Sequence, residues 1–227
     1  MAEQKKTNEA LNMEEALTQS EDFLIKNKKA IIGAVVAIIV IVAGIVMYKN
    51  LYVEPREEKA QAALFKGEEY LTADAYEQAL NGDSIGYAGF LKVADEFSGT
   101  DAANLANAYA GICYAHLGKY EEAIKAFERF DGDDQMVSPA MKGAMGNCYA
   151  SLGQLDKAAD MLLKAAKEAD NNTLCPIYLQ QAGEILVKQG KYDQAIEAYT
   201  TIKDKYFRSY QAMQIDKFIE EAKLMKK

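Results

Sequence analysis

Three segments of the chain share one order of small and aromatic residues, and this repetition constrains the fold more than any other feature. The segments read YAGICYAHLGKYEEAIKAF from residue 109, AMGNCYASLGQLDKAADML from residue 144 and QAGEILVKQGKYDQAIEAY from residue 181. Equivalent residues are 35 and 37 positions apart. Such a period is typical of stacked helical units, because one unit cannot bury its apolar face alone.

Each shared position has a mechanical role in a pair of antiparallel helices. The first glycine and the later alanine are expected where the helices pass closely, because no side chain larger than a methyl group fits there. The second glycine ends the first helix, since it accepts the left-handed conformation that follows a helix. Aromatic residues or leucine fill the space between pairs. These structural positions are Gly111, Tyr114, Gly118 and Ala123, then Gly146, Tyr149, Gly153 and Ala158, then Gly183, Gly190 and Ala195.

This pattern resembles the tetratricopeptide repeat over residues 104–205. The composition agrees with helix nearly throughout, because the chain has only three prolines and no tryptophan. No alternating run of Val, Ile or Thr is bounded by Asn-Gly or Asp-Gly, so strand signals are missing. We therefore expect an all-α fold in which tetratricopeptide-type helix pairs form an α-solenoid.

The segments that flank the repeats predict further helices. Residues 49–103 are expected to form a linking helix and a degenerate first pair, with helices over 57–80 and 84–97 but without the clean glycine and alanine positions. Residues 206–227 are expected to form a capping helix with charges on its outer face, which an open stack requires.

A short sequence pattern before the three repeats recurs after them. The segment EFSGTDAA, at 96–103, recurs 109 residues later as KYFRSYQA, at 205–212. Both resemble the link between repeats in cell-envelope tetratricopeptide proteins, with the proline of that link replaced.

Residues 30–48, AIIGAVVAIIVIVAGIVMY, carry no charge and are long enough to cross a hydrocarbon core of about 30 Å. Tyr48 and the lysines on both sides stand where interfacial anchors belong. A cleaved signal peptide would need a shorter apolar core and a small residue at its exit, where this chain has Met47 and Tyr48. The segment is therefore predicted to be an uncleaved transmembrane helix.

The lysines around the span predict its orientation. Lys26, Lys28 and Lys29 precede the span, whereas Lys49 alone follows it directly, which favours a cytoplasmic tail, residues 1–29, and a repeat domain outside. In a Gram-negative cell the repeat domain would be periplasmic and the chain a single-pass inner-membrane protein. The opposite topology, with cytoplasmic repeats, remains the alternative. The tail itself is either an amphipathic helix or partly ordered.

The net charge of −8 argues against nucleic acid, because a phosphate backbone is bound by clustered Lys and Arg. The layout of tail, lysine-rich start of the span, single span and outer repeats resembles the ancillary Sec-translocon subunit family. That resemblance implies binding to translocon subunits, periplasmic chaperones or exported clients. The alternative function is a scaffold subunit of outer-membrane assembly or of cell-envelope and division machinery.

The register of the repeats predicts where a partner binds, because the first helix of each pair lines a concave groove in such stacks. The floor of this groove is expected to be small and apolar with a few polar groups, which suits an extended peptide or a single helix. Binding on the convex face is the alternative. The expected groove residues are Leu105, Ala108, Ile112, His116, Asn147, Ser151, Ile177, Gln180, Glu184 and Lys188.

No residue pattern indicates an enzyme, a metal, a cofactor or a small-molecule substrate. His116 is the only histidine, and the acidic loop at Asp131 lacks the spacing and closing glutamate of a calcium loop. Asn171-Asn-Thr matches a glycosylation acceptor by composition alone. The three cysteines have no metal or redox spacing and are interpreted as packing residues, namely Cys113, Cys148 and Cys175.

Overall fold

The computed structural model describes residues 25–226, which fall into two compact units that divide after Pro55. In the first unit, α1 (Lys28–Tyr48) precedes a π-helix, Lys49–Val53. No residue of α1 is buried, and its apolar window has a mean hydropathy of 3.1, so by length and composition it is able to cross a membrane. The helix considered for the cytoplasmic tail lies outside the described residues.

The described part of the second unit is built from helices and contains no strand, which confirms the all-α prediction. Its helices are α2 (Glu54–Thr72, whose first two residues precede the division), α3 (Tyr76–Asn81), α4 (Phe90–Glu96), α5 (Asp101–His116), α6 (Tyr120–Glu128), α7 (Val137–Ser151), α8 (Leu155–Ala169), α9 (Cys175–Lys188), α10 (Tyr192–Lys205), a 3₁₀ turn (Gln211–Met213) and α11 (Ile215–Met225).

In each of the three repeats, the two helices cross at the same kind of contact. In each repeat the first glycine lies against the aromatic or leucine side chain that follows it by 16 positions. The three later alanines, Ala123, Ala158 and Ala195, are 0% exposed. An added Cβ on the glycine would lie 2.5 Å from Phe127 for Gly111, 2.7 Å from Leu162 for Gly146 and 2.2 Å from Tyr199 for Gly183.

Each first helix of the three repeats also ends in the same left-handed turn. Gly118, Gly153 and Gly190 have φ values of 72°, 72° and 73°. The next residue donates its N–H to a carbonyl five positions earlier, as Lys119 does to Tyr114 at 2.9 Å. This bond satisfies a carbonyl that the end of the helix leaves unpaired.

The expected long helix over 57–80 does not form, because α2 ends and α3 begins within that range. Asp74 has φ 56° and takes the place that glycine holds in the other repeats. The following residue, Ala75, donates its N–H to the Tyr70 carbonyl at 2.9 Å, as in those repeats. Asp74 lies 44 residues before Gly118 and therefore marks an earlier repeat in the same register.

This earlier repeat is less degenerate than the sequence suggested. Gly67 and Ala79 also lie 44 residues before their counterparts, and Ala79 is fully buried. An added Cβ on Gly67 would lie 2.3 Å from the ring of Phe90, which follows 23 positions later because seven residues are inserted in the second helix. The second helix of this pair is consequently divided into α3 and α4, and only α4 lies within the range 84–97 that was expected for it.

The two linking segments that echo each other have the same local geometry. Thr100 accepts a hydrogen bond from the Ala103 N–H at 3.1 Å, and Ser209 accepts one from the Ala212 N–H at 3.2 Å. Thr100 caps α5, whereas Ser209 precedes the 3₁₀ turn. The capping helix expected within residues 206–227 is therefore α11, preceded by that turn.

The last helix, α11, covers the end of the stack. Ile215, Ile219 and Ala222 are buried in the core cluster that includes α10, and the Phe218 ring lies 5.6 Å from the Tyr199 ring. Its outward side carries charged residues in ion pairs, such as Lys223 with Glu220. The helix is thus amphipathic in the way that a terminal cap requires.

Candidate protein-binding surface

All ten predicted groove residues lie on the first helices α5, α7 and α9. The prediction was wrong for Ala108, because this residue is 1% exposed and cannot contact a partner. Gly143, which holds the equivalent position in the next repeat, is also buried, and an added Cβ there would lie 2.3 Å from the Tyr178 ring. This helix position faces a neighbouring helix instead of solvent.

Four of the predicted residues line one shallow cavity of about 260 Å³: Ile112, His116, Asn147 and Ser151. The cavity lies between the first helices α5 and α7, with Phe127 of α6 at its base. Its lining combines apolar side chains with an exposed amide and hydroxyl. Such a surface bonds a peptide backbone through its polar groups and holds apolar side chains between them.

The remaining predicted residues on α9 form a more polar part of the surface. Gln180 donates a hydrogen bond to the Glu184 carboxylate at 3.0 Å, and both side chains reach solvent. Lys188 is exposed in the last turn of the same helix. Ile177 is half-buried and packs against the core cluster. These residues lie outside the cavity between α5 and α7.

His116 has a structural role that the sequence did not indicate. Its ring stacks on the Tyr76 ring with the centroids 4.3 Å apart and the planes 7° from parallel. Tyr76 begins α3, so the stack connects the first two repeats. The Tyr76 hydroxyl in turn donates to the Asp74 carboxylate at 2.5 Å.

Two aromatic residues on the first helices were missed by the sequence reasoning. Phe65 of α2 is 64% exposed, and Tyr109 lies 44 residues later at the equivalent position of α5. Tyr109 donates a hydrogen bond to Glu68 at 2.8 Å, and burial together with this bond raises the pKa of Tyr109 to about 12. Extending the repeat register back to Gly67 would have found Phe65, whereas Tyr109 already begins the first repeat segment.

The acidic loop after α6 caps a helix. Asp134 accepts hydrogen bonds from the N–H groups of Met136, Val137 and Ser138 at 2.7, 2.5 and 3.1 Å. Burial opposes its ionisation, but these bonds outweigh burial and lower the pKa of Asp134 to about 2. Among residues 25–226, no group of three or more potential ligands is placed to hold a metal ion.

Asn171 uses both ends of its amide within the fold. Its side-chain oxygen accepts hydrogen bonds from the N–H groups of Thr173 and Leu174, and its nitrogen donates to the carbonyls of Gln135 and Ala169. A glycan would replace one hydrogen of this nitrogen and so remove a bond that it donates to Gln135 or Ala169. The residue therefore acts as a capping side chain.

The three cysteines are buried and form no disulfide. Burial raises the pKa of Cys113 to about 12 and of Cys148 to about 11, and it raises the pKa of Cys175 as well. The thiol form of each side chain therefore prevails at neutral pH. A protonated, buried thiol is a poor nucleophile.

Comparison with known proteins agrees with this geometry. The model of the tetratricopeptide repeat-like domain family matches residues 21–215. The chain belongs to this family. Domains of this tetratricopeptide repeat-like kind generally bind other proteins and are typically not catalytic. No curated protein shows significant sequence similarity to the chain.

Two solved structures share the tetratricopeptide repeat-like fold. Both come from a Podosopora anserina protein described as a putative kinesin light chain with nearly identical TPR-like repeats, and one of them carries a single substitution. The substituted form has a TM-score of 0.56 at 10% identity, over 74% of this chain and 87% of its own. The other form has a TM-score of 0.52 at 12% identity, over 74% of this chain and 95% of its own. At these identities the likeness establishes the fold alone.

Proposed function

We propose that this protein is a membrane-tethered adaptor that binds a segment of another protein on its first-helix face. We define this face as the solvent-accessible residues of α2, α5, α7 and α9. The observation that carries the proposal is the cavity shared by Ile112, His116, Asn147 and Ser151. An apolar surface with a few polar groups suits an extended peptide or one amphipathic helix.

The tether in this proposal is α1. Its side chains are apolar from Ala30 to Met47 and none is buried, which in water would leave a large exposed apolar surface. The Tyr48 ring, at the end of α1, stacks on the Tyr52 ring with the centroids 5.4 Å apart, and aromatic residues at this place favour a membrane interface. With the lysine bias before the span, this supports an inner-membrane chain with periplasmic repeats.

The partner class follows from the layout of the chain. A repeat domain held at the membrane would meet exported proteins as they leave the secretion channel. We therefore propose translocon subunits, periplasmic chaperones or exported clients as partners. Its resemblance to the ancillary Sec-translocon subunits supports this choice. A scaffold role in outer-membrane assembly or in cell-envelope and division machinery is the second candidate, since it needs the same tether and surface.

Site-specific photocrosslinking in cells tests the adaptor proposal. A photoreactive residue at Asn147 is expected to crosslink to channel subunits, chaperones or nascent exported chains. A matched probe at Glu121, exposed on the second helix α6, is the control and is expected to give no such adduct. Adducts with outer-membrane assembly or division proteins would favour the second candidate. The absence of adducts at Asn147 and Ile112 would contradict both.

Thiol labelling tests the orientation. The native cysteines are buried, so an engineered cysteine at exposed Ser84 will dominate the reaction with a membrane-impermeant maleimide. In spheroplasts the Ser84→Cys variant is expected to react before lysis, whereas Ala2→Cys in the tail reacts only after it. The reverse order would place the repeats in the cytoplasm.

A further inference from the structure

A cavity larger than the one between α5 and α7 lies away from the first-helix face. It has a volume of about 860 Å³ and is lined by the second helices α8 and α10 and by the beginning of α9. We call it the second-helix cleft. Leu163 and Ala166 of α8, Leu179 of α9 and Ala198 of α10 give it an apolar lining.

At one end of the second-helix cleft, a hydrogen bond joins the residues that directly follow α8 and α10. Tyr206, just after α10, donates its hydroxyl to the Asp170 carboxylate, just after α8, at 3.0 Å. The Cys175 side chain, at the beginning of α9, lines the cleft as well. The hydrogen bond keeps the α8 and α10 ends in position without a partner, so binding would require little reorganisation.

Charge is distributed unevenly along the second-helix cleft. Lys167 and Lys205 line the end that holds the Tyr206 bond, and neither forms an ion pair with any described residue. Asp170, the carboxylate at this end, accepts the tyrosine hydroxyl. Glu197 lines the cleft two turns earlier on α10, about 12 Å from Lys205 along the helix axis. One end is therefore cationic and the other anionic.

We propose that the second-helix cleft is a further docking surface for an amphipathic segment of a partner protein. The segment carries a carboxylate that meets Lys167 and Lys205, a cation about 12 Å away that meets Glu197, and aliphatic side chains between them. This surface is separate from the first-helix face, so the adaptor would bind two protein segments at once. A fatty acid would satisfy the lysines but would leave Glu197 without a cation.

Designed peptides test this complementarity on the full-length protein in detergent. Three helical peptides of about 14 residues share one leucine face and carry Glu and Lys, two Glu, or two Lys at positions about 12 Å apart. By fluorescence anisotropy, the mixed-charge peptide is expected to bind about tenfold more tightly than either single-charge peptide. Equal affinity for all three peptides would overturn the proposal.

Variants of the cleft decide where the peptide binds. In the Lys167→Glu, Lys205→Glu double variant the preference is expected to change to the two-Lys peptide, while Lys188→Glu on the first-helix face leaves the preference unchanged. Thr201→Trp, which fills the cleft, is expected to abolish binding, and Asn147→Trp is its control. Circular dichroism melting establishes that each variant is folded.

The alternatives give distinct results. An unchanged preference in the double variant, or displacement of the mixed-charge peptide by Asn147→Trp and not by Thr201→Trp, would contradict the cleft as the site. Binding of dodecanoate that depends on both lysines, with no peptide binding, would make the cleft a lipid site and the proposal wrong. None of these outcomes affects the adaptor proposal, which the crosslinks at Asn147 test by themselves.

Discussion

At the scale of single residues, glycine determines how closely the helices of each pair approach. Gly183 of α9 lies under the Tyr199 ring of α10, which is 1% exposed and has no room to move away. The same contact recurs at Gly111 and Gly146. A methyl group at this position would not fit without displacing its neighbours, because a packed core has no space for even one additional carbon atom.

Gly183→Ala is expected to lower the free energy of unfolding by about 1–3 kcal/mol, because the added Cβ overpacks the crossing. The better helix propensity of alanine offsets part of this loss. Thermal unfolding followed by circular dichroism measures the difference. Ser151→Ala, at an exposed helical site, is the control and is expected to change stability little. A Gly183→Ala variant as stable as wild type would contradict the close crossing.

Asp134→Ala is expected to lower stability at pH 7 by about 1–2 kcal/mol, because the start of α7 loses its cap. The lowered pKa of about 2 means that the capping contribution is present above an unfolded-state pKa of about 4 and is lost as pH falls toward 2. The stability difference between wild type and variant should therefore shrink over this range. Unfolding measured at pH 7, 4 and 3 would show it, and a pH-independent difference would contradict the ionised cap.

At the scale of helices, hydrogen bonds from the beginning of α2 connect the first repeat to the second. The Glu57 carboxylate accepts hydrogen bonds from the N–H groups of Asp101 and Ala102 at 2.8 and 3.0 Å, at the start of α5. The Arg56 guanidinium donates to the carbonyls of Glu96 and Ser98 at 2.9 and 2.8 Å. A carboxylate at a helix start also interacts favourably with the helix dipole.

Glu57→Ala is expected to destabilise the repeat domain by about 1–2 kcal/mol, because two N–H groups at the start of α5 lose a charged acceptor. Hydrogen exchange should increase first at α5, which would distinguish this local effect from general loss of stability. The exposed neighbour Glu58 provides the control variant, Glu58→Ala. Equal effects of the two substitutions would contradict the capping role.

At the scale of the whole molecule, α1 differs from every other α-helix that the structure describes in that none of its residues is buried. If α1 spans a membrane, a charge near its centre should prevent insertion. Ile39→Arg raises the insertion free energy by about 3 kcal/mol, so the fraction of protein that resists alkaline carbonate extraction is expected to fall. Ile39→Leu is expected to behave as wild type, and equal extraction of both variants would argue against a membrane span.

The amino-acid sequence alone determined the all-α class and three of the four helix pairs. A repeated unit requires its small residues at the same crossing in every copy, so the periodicity along the chain carries the fold directly. The first pair was predicted only as a degenerate pair with the wrong helix bounds, because Asp74 replaces glycine and an insertion displaces Phe90 by seven residues. Aspartate tolerates the left-handed conformation, so the backbone keeps a turn that the glycine pattern no longer marks.

Only the tertiary structure decided which side chains of the first helices reach solvent. Ala108 and Phe65 both lie on first helices, yet the first is covered by its neighbours and the second is exposed. Likewise Lys167 and Lys205, 38 residues apart, line one cleft because second helices of successive repeats are neighbours. Helical periodicity is a local property of the chain, whereas the covering of a helix face depends on how far and at what angle the adjacent repeat packs.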